Sequence, residues 1–372
     1  MEIFGEKIEV LIPFQRANVI NEISSKIRTT FCSVYKYFCD IDNYNKCVTC
    51  ENCDRYLYHR DYLTKQHFCS KKAIKWMEKN TLDGKKYNIH FNMQEFNITL
   101  KLNVYGELED DHMKLLISKC ITMILINKIL ICEMEINLLL LPIKRVYPKN
   151  FQTNNNITLG VNEANGGFTT WKGNDWGKIY VWRKEELDKV LIHEMIHALH
   201  LDFHNYDLEI DQFFYDNFFI EKDGSFLFFE AYVEMWGELL NIIFNYSYEL
   251  CLRGDEYDDY SLLYDKLCSE LNFSMIQVSK LLLWYGFDTF TNCGFYCKDR
   301  CKQIDERMTE GTSLFSYYIV RSIYFYSLSQ FLQICVNSKH DGKSAMHDMS
   351  DRKRHIRYLD LIKNNIDSYG KE

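Results

Sequence analysis

Hydrophobic and polar positions along the chain change period near residue 183. Before it, the pattern is mostly short and strand-like; after it, apolar residues recur at helical spacing almost throughout. YNIHFNMQ (87–94) and FNITLKLNVYG (96–106) alternate apolar and polar side chains, the period of paired strands with one covered face. Before them, a strand-like start and a helix over 16–38 are expected. After them, 110–130 repeats at helical spacing and EINLLLLPI reads as a buried strand. GGFTTW and KIYVW follow as short aromatic strands. Segments 185–202, 226–250, 259–286 and 312–336 read as helices, then a polar stretch at 337–350 and a charged helix at 351–366. The class implied is α+β, a small mixed sheet followed by a mostly helical half. There is no internal repeat.

An Asp-Gly turn signal at Leu82-Asp83-Gly84 suggests a boundary there. Three regions are expected: a Cys/His-rich 1–82, a main domain 83–336 (sheet 85–182, helical 185–336), and a C-terminal polar linker and helix, 337–372. All three prolines (Pro13, Pro142, Pro148) fall in the first 148 of 372 residues, so nothing in the remaining 224 interrupts a long helix in the way proline does. A net charge of −8 without a basic block excludes nucleic acid as the expected partner. The most apolar stretch, 123–143, is broken by Asn127, Lys128, Glu133, Glu135 and Asn137, so no membrane span or membrane partner is expected. MEIFGEKIEVLIPFQ lacks the uninterrupted apolar core of an export signal. The expected setting is therefore cytoplasmic, where fourteen cysteines are thiols, packing residues or metal ligands rather than a disulfide framework.

Chemistry concentrates in VLIHEMIHALHL (190–201). His193 and His197 are four apart, on one face of a helix, so both imidazoles can converge on one ion. Glu194 sits one step round, where its carboxylate can reach water on a metal rather than the metal itself. Zinc suits neutral imidazole and lowers the pKa of its water to about 7. The bland alternative is a core helix with satisfied histidines. A third ligand is needed, and FFEAYVEMWGELL (228–240) supplies Glu230, 33 residues beyond His197. Glu234, one turn later on the same face, can accept the N–H of a ligating histidine. A solvated acidic face is the alternative, weakened by the apolar neighbours of both glutamates. His200 lies on the His193/His197 stripe, and His204 falls about 10 Å along a helix from His197; both read as structural or surface histidines.

HEMIH followed by EAYVE resembles the gluzincin class of zinc metallopeptidases, whose pattern is HExxH on one helix and Glu-x-x-x-Asp on the next. The resemblance spans roughly 155–245 and implies a zincin-like metallopeptidase core that hydrolyses a peptide or protein substrate. It implies His193, His197 and Glu230 as zinc ligands, Glu194 as general base, and Glu234 where the class usually has Asp. An edge strand before the active helix holds extended substrate in this class, and KIYVW (178–182) matches it in order. Glu194 also bears on the alternative reading, a catalytically inactive zinc-binding interaction protein on a peptidase scaffold. Such a scaffold needs the ligands but not the base. Hydrolysis of a non-peptide amide is a third possibility.

Other candidates carry weaker signals. Peptide hydrolysis needs a donor toward the developing oxyanion, and Tyr317 and Tyr318 in GTSLFSYYIVRS are candidates, with an amphipathic core helix as the alternative. The glycine-rich 160–177 reads either as a substrate-facing loop or as hairpin turns. Cys47, Cys50, Cys53, His67 and Cys69 have the ligand types of a second, structural zinc site, and their order is similar to a degenerate zinc finger. Cys293, Cys297 and Cys301 share helical spacing without a clear fourth ligand, while the remaining cysteines read as core.

Overall fold

The computed structural model describes residues 18–146, 158–171, 177–202, 208–218, 226–255, 257–285, 310–336 and 352–369, with Ile220, Phe287 and Phe290 besides. In chain order the elements are α1 (Asn18–Cys39), α2 (Ile41–Cys47), β1 (Val48–Asn52), α3 (Tyr56–Leu63), α4 (Lys71–Lys79), β2 (Gly84–Met93), β3 (Phe96–Tyr105), α5 (Asp110–Ile126) and β4 (Ile131–Leu141). There follow β5 (Leu159–Gly160), α6 (Val161–Ala164), β6 (Gly167–Thr170), β7 (Lys178–Arg183), α7 (Leu187–Ala198), α8 (Leu208–Asn217), α9 (Phe228–Arg253) and α10 (Tyr260–Trp284). Last come β8 (Glu310–Gly311), a π-helical turn (Phe315–Val320), α11 (Arg321–Tyr326), α12 (Leu328–Val336) and α13 (Arg352–Tyr369).

The α+β class is as expected: a six-stranded mixed sheet and a helical half. The strand order is β1-β2-β3-β4-β7-β6. β3, β4 and β7 run parallel; β1 with β2, β2 with β3, and β6 with β7 are antiparallel. The β2–β3 hairpin turns through Gln94 and Glu95, with Gln94 at φ 52°. Helix α5 then carries the chain from β3 to the parallel β4, as a crossover must.

Alternation sorts the side chains onto two faces. Ile98, Leu100 and Leu102 of β3, Ile136 and Leu138 of β4, and Ile179 and Val181 of β7 enter the main core, which includes α1, α5, α7 and α9. Tyr105, Leu139, Leu141, Tyr180 and Trp182 face the other way, onto Tyr56, Leu63, Ala73 and Met77 of α3 and α4. The Cys/His-rich region is thus divided between both faces. Strand β1 pairs with β2 across the expected boundary at Leu82, and α1 packs on α5 and α9. Among the described residues no helix is long and apolar enough to cross a membrane.

This division separates the residues expected to hold a second metal. Cys47 enters the main core beside the Tyr37 hydroxyl (3.4 Å), whereas Cys53 and Cys69 enter the opposite one. The Cys53 thiol meets the Tyr105 hydroxyl at 3.1 Å. Cys50 and His67 are exposed. Among the described residues, the only three-ligand group that could hold a metal lies elsewhere. Cys293, Cys297 and Cys301 lie outside the described residues.

His59 of α3 is buried between the Tyr105 and Tyr180 rings, at 5.4 and 5.8 Å, with neither ring nitrogen hydrogen-bonded. Burial pushes its pKa down to about 4. The unfolded chain, near 6.5, therefore takes up this proton first, and stability present above that value is lost as pH falls toward 4. The expected loss is about 3 kcal/mol. His59→Phe should remove that part of the pH dependence in urea unfolding at pH 7 and pH 4.5; an unchanged difference would contradict this account.

Candidate metal centre

Helix α7 follows β7 through one 3₁₀ turn and is buried on nearly every side, between the sheet and α9. Its apolar residues (Leu191, Ile192, Met195 and Ile196 among them) hold it rigidly and leave His193, Glu194 and His197 as its buried polar group. α9 lies alongside. Gly237 faces His193, and a Cβ there would sit 3.4 Å from the His193 Cβ, so the two helices approach closely. That approach brings Glu230, in the first turn of α9, beside both imidazoles.

The Nε2 atoms of His193 and His197 are 3.3 Å apart, and Glu230 Oε2 lies 3.4 Å from the first and 3.6 Å from the second. Two ligands bound at about 2.0–2.1 Å in tetrahedral geometry lie about 3.4 Å apart. The three atoms therefore form one face of a tetrahedron of the size a divalent ion needs. All three residues are buried, and Glu230 Oε2 has no hydrogen-bond partner. The group could bind a metal ion.

Both rings are oriented from behind. His193 Nδ1 is 2.9 Å from Glu234 Oε2, and His197 Nδ1 is 2.6 Å from Asp202 Oδ2. With each Nδ1–H donated to a carboxylate, each Nε2 lone pair is free for a cation. Glu234 thus stands where the sequence places it, and its other oxygen pairs with Lys189.

Asp202 was not legible in the sequence. Helix α7 stops at Ala198, and His200 takes a left-handed backbone (φ 54°). The His200 and Leu201 amides donate back to His197 and Ile196, a Schellman turn. This turn returns Asp202 beneath His197 and takes His200 off the helical stripe on which it was expected. The His200 ring lies instead on Trp171, centroids 6.2 Å apart. His204 lies outside the described residues.

Glu194 lines a cavity of about 60 Å³ together with His193, Lys189, Arg145, Tyr317, Gly166 and Gly167. The Thr169 hydroxyl donates to Glu194 Oε2 at 2.9 Å, an anchor that motif spacing does not reveal. Burial raises the Glu194 pKa, offset only in part by the two histidines. Burial would likewise lower His193, but Glu230 and Glu234 outweigh it and hold that imidazole at about 9. Glu230 and Asp202 hold His197 well above its usual range in the same way. Against its own burial, Glu230 is drawn down to about 2 by His197 and His193. Four carboxylates around two imidazoles favour positive charge between them, supplied by protons or by a metal ion.

The two candidate tyrosines separate. Tyr317 lines the cavity, its ring 6.1 Å from that of His193, on a π-helical turn of the kind frequent at functional sites. Burial, then Glu230, Glu234 and Glu194, hold its hydroxyl well above the usual pKa, so it remains a donor. The Tyr318 hydroxyl instead accepts from Arg145 Nη1 at 2.7 Å.

The strand expected to be the free edge is not. KIYVW is β7, paired on one side with β4 and covered on the other by β6. Among the described residues the edge strand beside α7 is β6, and Gly167 fits it closely there. A Cβ at Gly167 would lie 2.7 Å from Val190 Cγ1 and 3.0 Å from Glu194 Cγ. Of the glycine-rich segment, Gly166 and Gly167 thus face the cavity, Gly160 joins the β5–β8 pair, and 172–176 lie outside the described residues.

Compared with protein-family models, with curated proteins and with solved structures, the chain matches none.

Proposed function

We propose that the protein is a zinc-dependent metallopeptidase of gluzincin type. The observation that carries this reading is the His193–His197–Glu230 triangle with the buried carboxylate of Glu194 beside it. Two imidazoles and one carboxylate at tetrahedral separation suit zinc and leave a fourth position open. When bound, the ion would supply a Lewis acid that acidifies water and polarises a carbonyl. His193, His197 and Glu230 would hold it, with Glu234 and Asp202 fixing the imidazole tautomers. Glu194, held by Thr169, takes the proton of the attacking water and returns it to the leaving nitrogen. Burial raises its pKa, which strengthens it as the base. Tyr317 stands as a protonated donor toward the oxygen that gains charge. The edge of β6, unpaired among the described residues, offers backbone groups to an extended peptide, which is what favours a peptide over other amides. A scaffold that merely bound zinc would have no use for Glu194 at that position.

The test is metal content together with hydrolysis of a randomised peptide library, read by mass spectrometry. One zinc per chain is expected, with cleavage abolished by 1,10-phenanthroline and restored by added zinc. A zinc-loaded protein that cleaves no member of the library would overturn the catalytic reading, and a protein that takes up no zinc would overturn both parts.

A further inference from the structure

Strand β6 runs beside α7 in the same chain direction. Gly167 packs against Val190 and Glu194, the Thr169 hydroxyl reaches Glu194, and the Trp171 ring stands edge-on to His197, centroids 6.4 Å apart. Positions 167, 169 and 171 share a face, each about 7 Å from the next. Trp171 is 47% exposed, although Trp182 and Trp236 are buried in the core. What distinguishes it from the other exposed apolar side chains is its place, beside a candidate metal ligand at the end of the strand that lines the centre.

A peptide that adds to the edge of β6 left unpaired among the described residues continues its pleat. One of its side chains then falls beside Thr169, over Glu194, and the next on that face falls beside Trp171. In the opposite direction the corresponding side chain falls beside Gly167, at a cavity of about 60 Å³ with Lys189 and Arg145 in its wall. Both cations are already paired, Lys189 with Glu234 and Arg145 with Glu186. The two sides of the centre therefore differ: one narrow and polar, the other an open aromatic shelf.

We propose that Trp171 forms a subsite that selects a large apolar or aromatic side chain on one side of the scissile bond. This rests on the hydrolytic reading above and adds a substrate class to it. The indole offers flat apolar area to such a side chain and nothing to a small or acidic one. Trp171 is not a metal ligand, and its ring contacts are with His197 and His200.

The experiment uses the zinc-loaded full chain. The library peptide cleaved best is resynthesised with Phe, Leu, Ala or Asp at each position flanking the cleaved bond. Wild type should prefer Phe or Leu over Ala at one position on one side. Trp171→Ala should lower kcat/KM for the Phe peptide about tenfold while changing the Ala peptide less than about twofold, and Trp171→Phe should restore most of the preference. Equal losses on both peptides, a fall in zinc content, or a wild-type enzyme indifferent to side-chain size would each overturn the subsite and leave the hydrolytic reading standing. No cleavage of any library member by zinc-loaded wild type would overturn both.

Discussion

Glu194→Gln is expected to fold, to bind zinc as the wild type does, and to hydrolyse peptides about 10³-fold more slowly. The substitution is nearly isosteric, and its amide oxygen can still accept from the Thr169 hydroxyl, which lies 2.9 Å from Oε2 in the native protein. What it removes is the capacity to take a proton. Glu194 is not among the three converging ligand atoms, so the site that holds the ion keeps its geometry. Electrostatics point the same way. Burial already pushes the Glu194 carboxyl toward its neutral form, so a neutral side chain there disturbs the charge balance less than it would at Glu230. Zinc content and kcat/KM on the best library peptide separate the two effects. Cleavage that survived in the zinc-loaded variant would assign the proton transfer to another group. Loss of zinc together with activity would show that Glu194 helps to hold the ion.

Why these residues were legible and others were not follows from the range of the interactions. His193, Glu194 and His197 depend on helical spacing alone, and Glu230 with Glu234 repeats the same logic on the next long helix. Local periodicity is written in the chain. Asp202 depends on a left-handed residue at His200, a position where nothing in the sequence announces a turn as glycine would. Whether β6 or β7 is the edge depends on which strands pair, a property of the whole sheet; both segments read equally well as short strands. That Cys47, Cys50, Cys53, His67 and Cys69 do not converge was partly accessible. In an extended chain Cys50 and Cys53, three residues apart, point to opposite sides, and a sheet then separates them. Ligand types were right for zinc, but the backbone between them is a strand rather than a knuckle. The absence of proline after residue 148 permitted long helices, and α9 and α10 are indeed 26 and 25 residues long.

Asp188→Ala is expected to cost about 3–5 kcal/mol of folding stability, the range for removing one partner of a buried ion pair. Lys119 lies in the middle of α5 with its side chain 2% exposed, and its ammonium donates to Asp188 Oδ1 at 2.7 Å and to Asn245 Oδ1 at 3.2 Å. Asp188 also takes the half-buried His112 ring at 3.0 Å on its other oxygen. One carboxylate in the first turn of α7 thus ties α5 to the helix that carries both histidines, and Asn245 adds α9. Burial already lowers the Lys119 pKa, and Asp188 is what opposes that shift. Without Asp188 the buried ammonium has only an amide to meet it, and its pKa falls further. The unfolded chain then holds this proton up to about pH 10.4 while the folded variant sheds it earlier, so the deficit should shrink as pH rises toward that value. Lys119→Met in the same chain removes the stranded charge and should recover most of the loss, because an apolar side chain of similar length fills the slot. Urea unfolding of wild type, the single variant and the double variant at pH 7 and pH 9.5 measures all of this. A single variant within about 1 kcal/mol of wild type would mean that the pair contributes no more than an exposed one does. A double variant no better than the single would place the cost in lost packing around α7 rather than in the charge on Lys119.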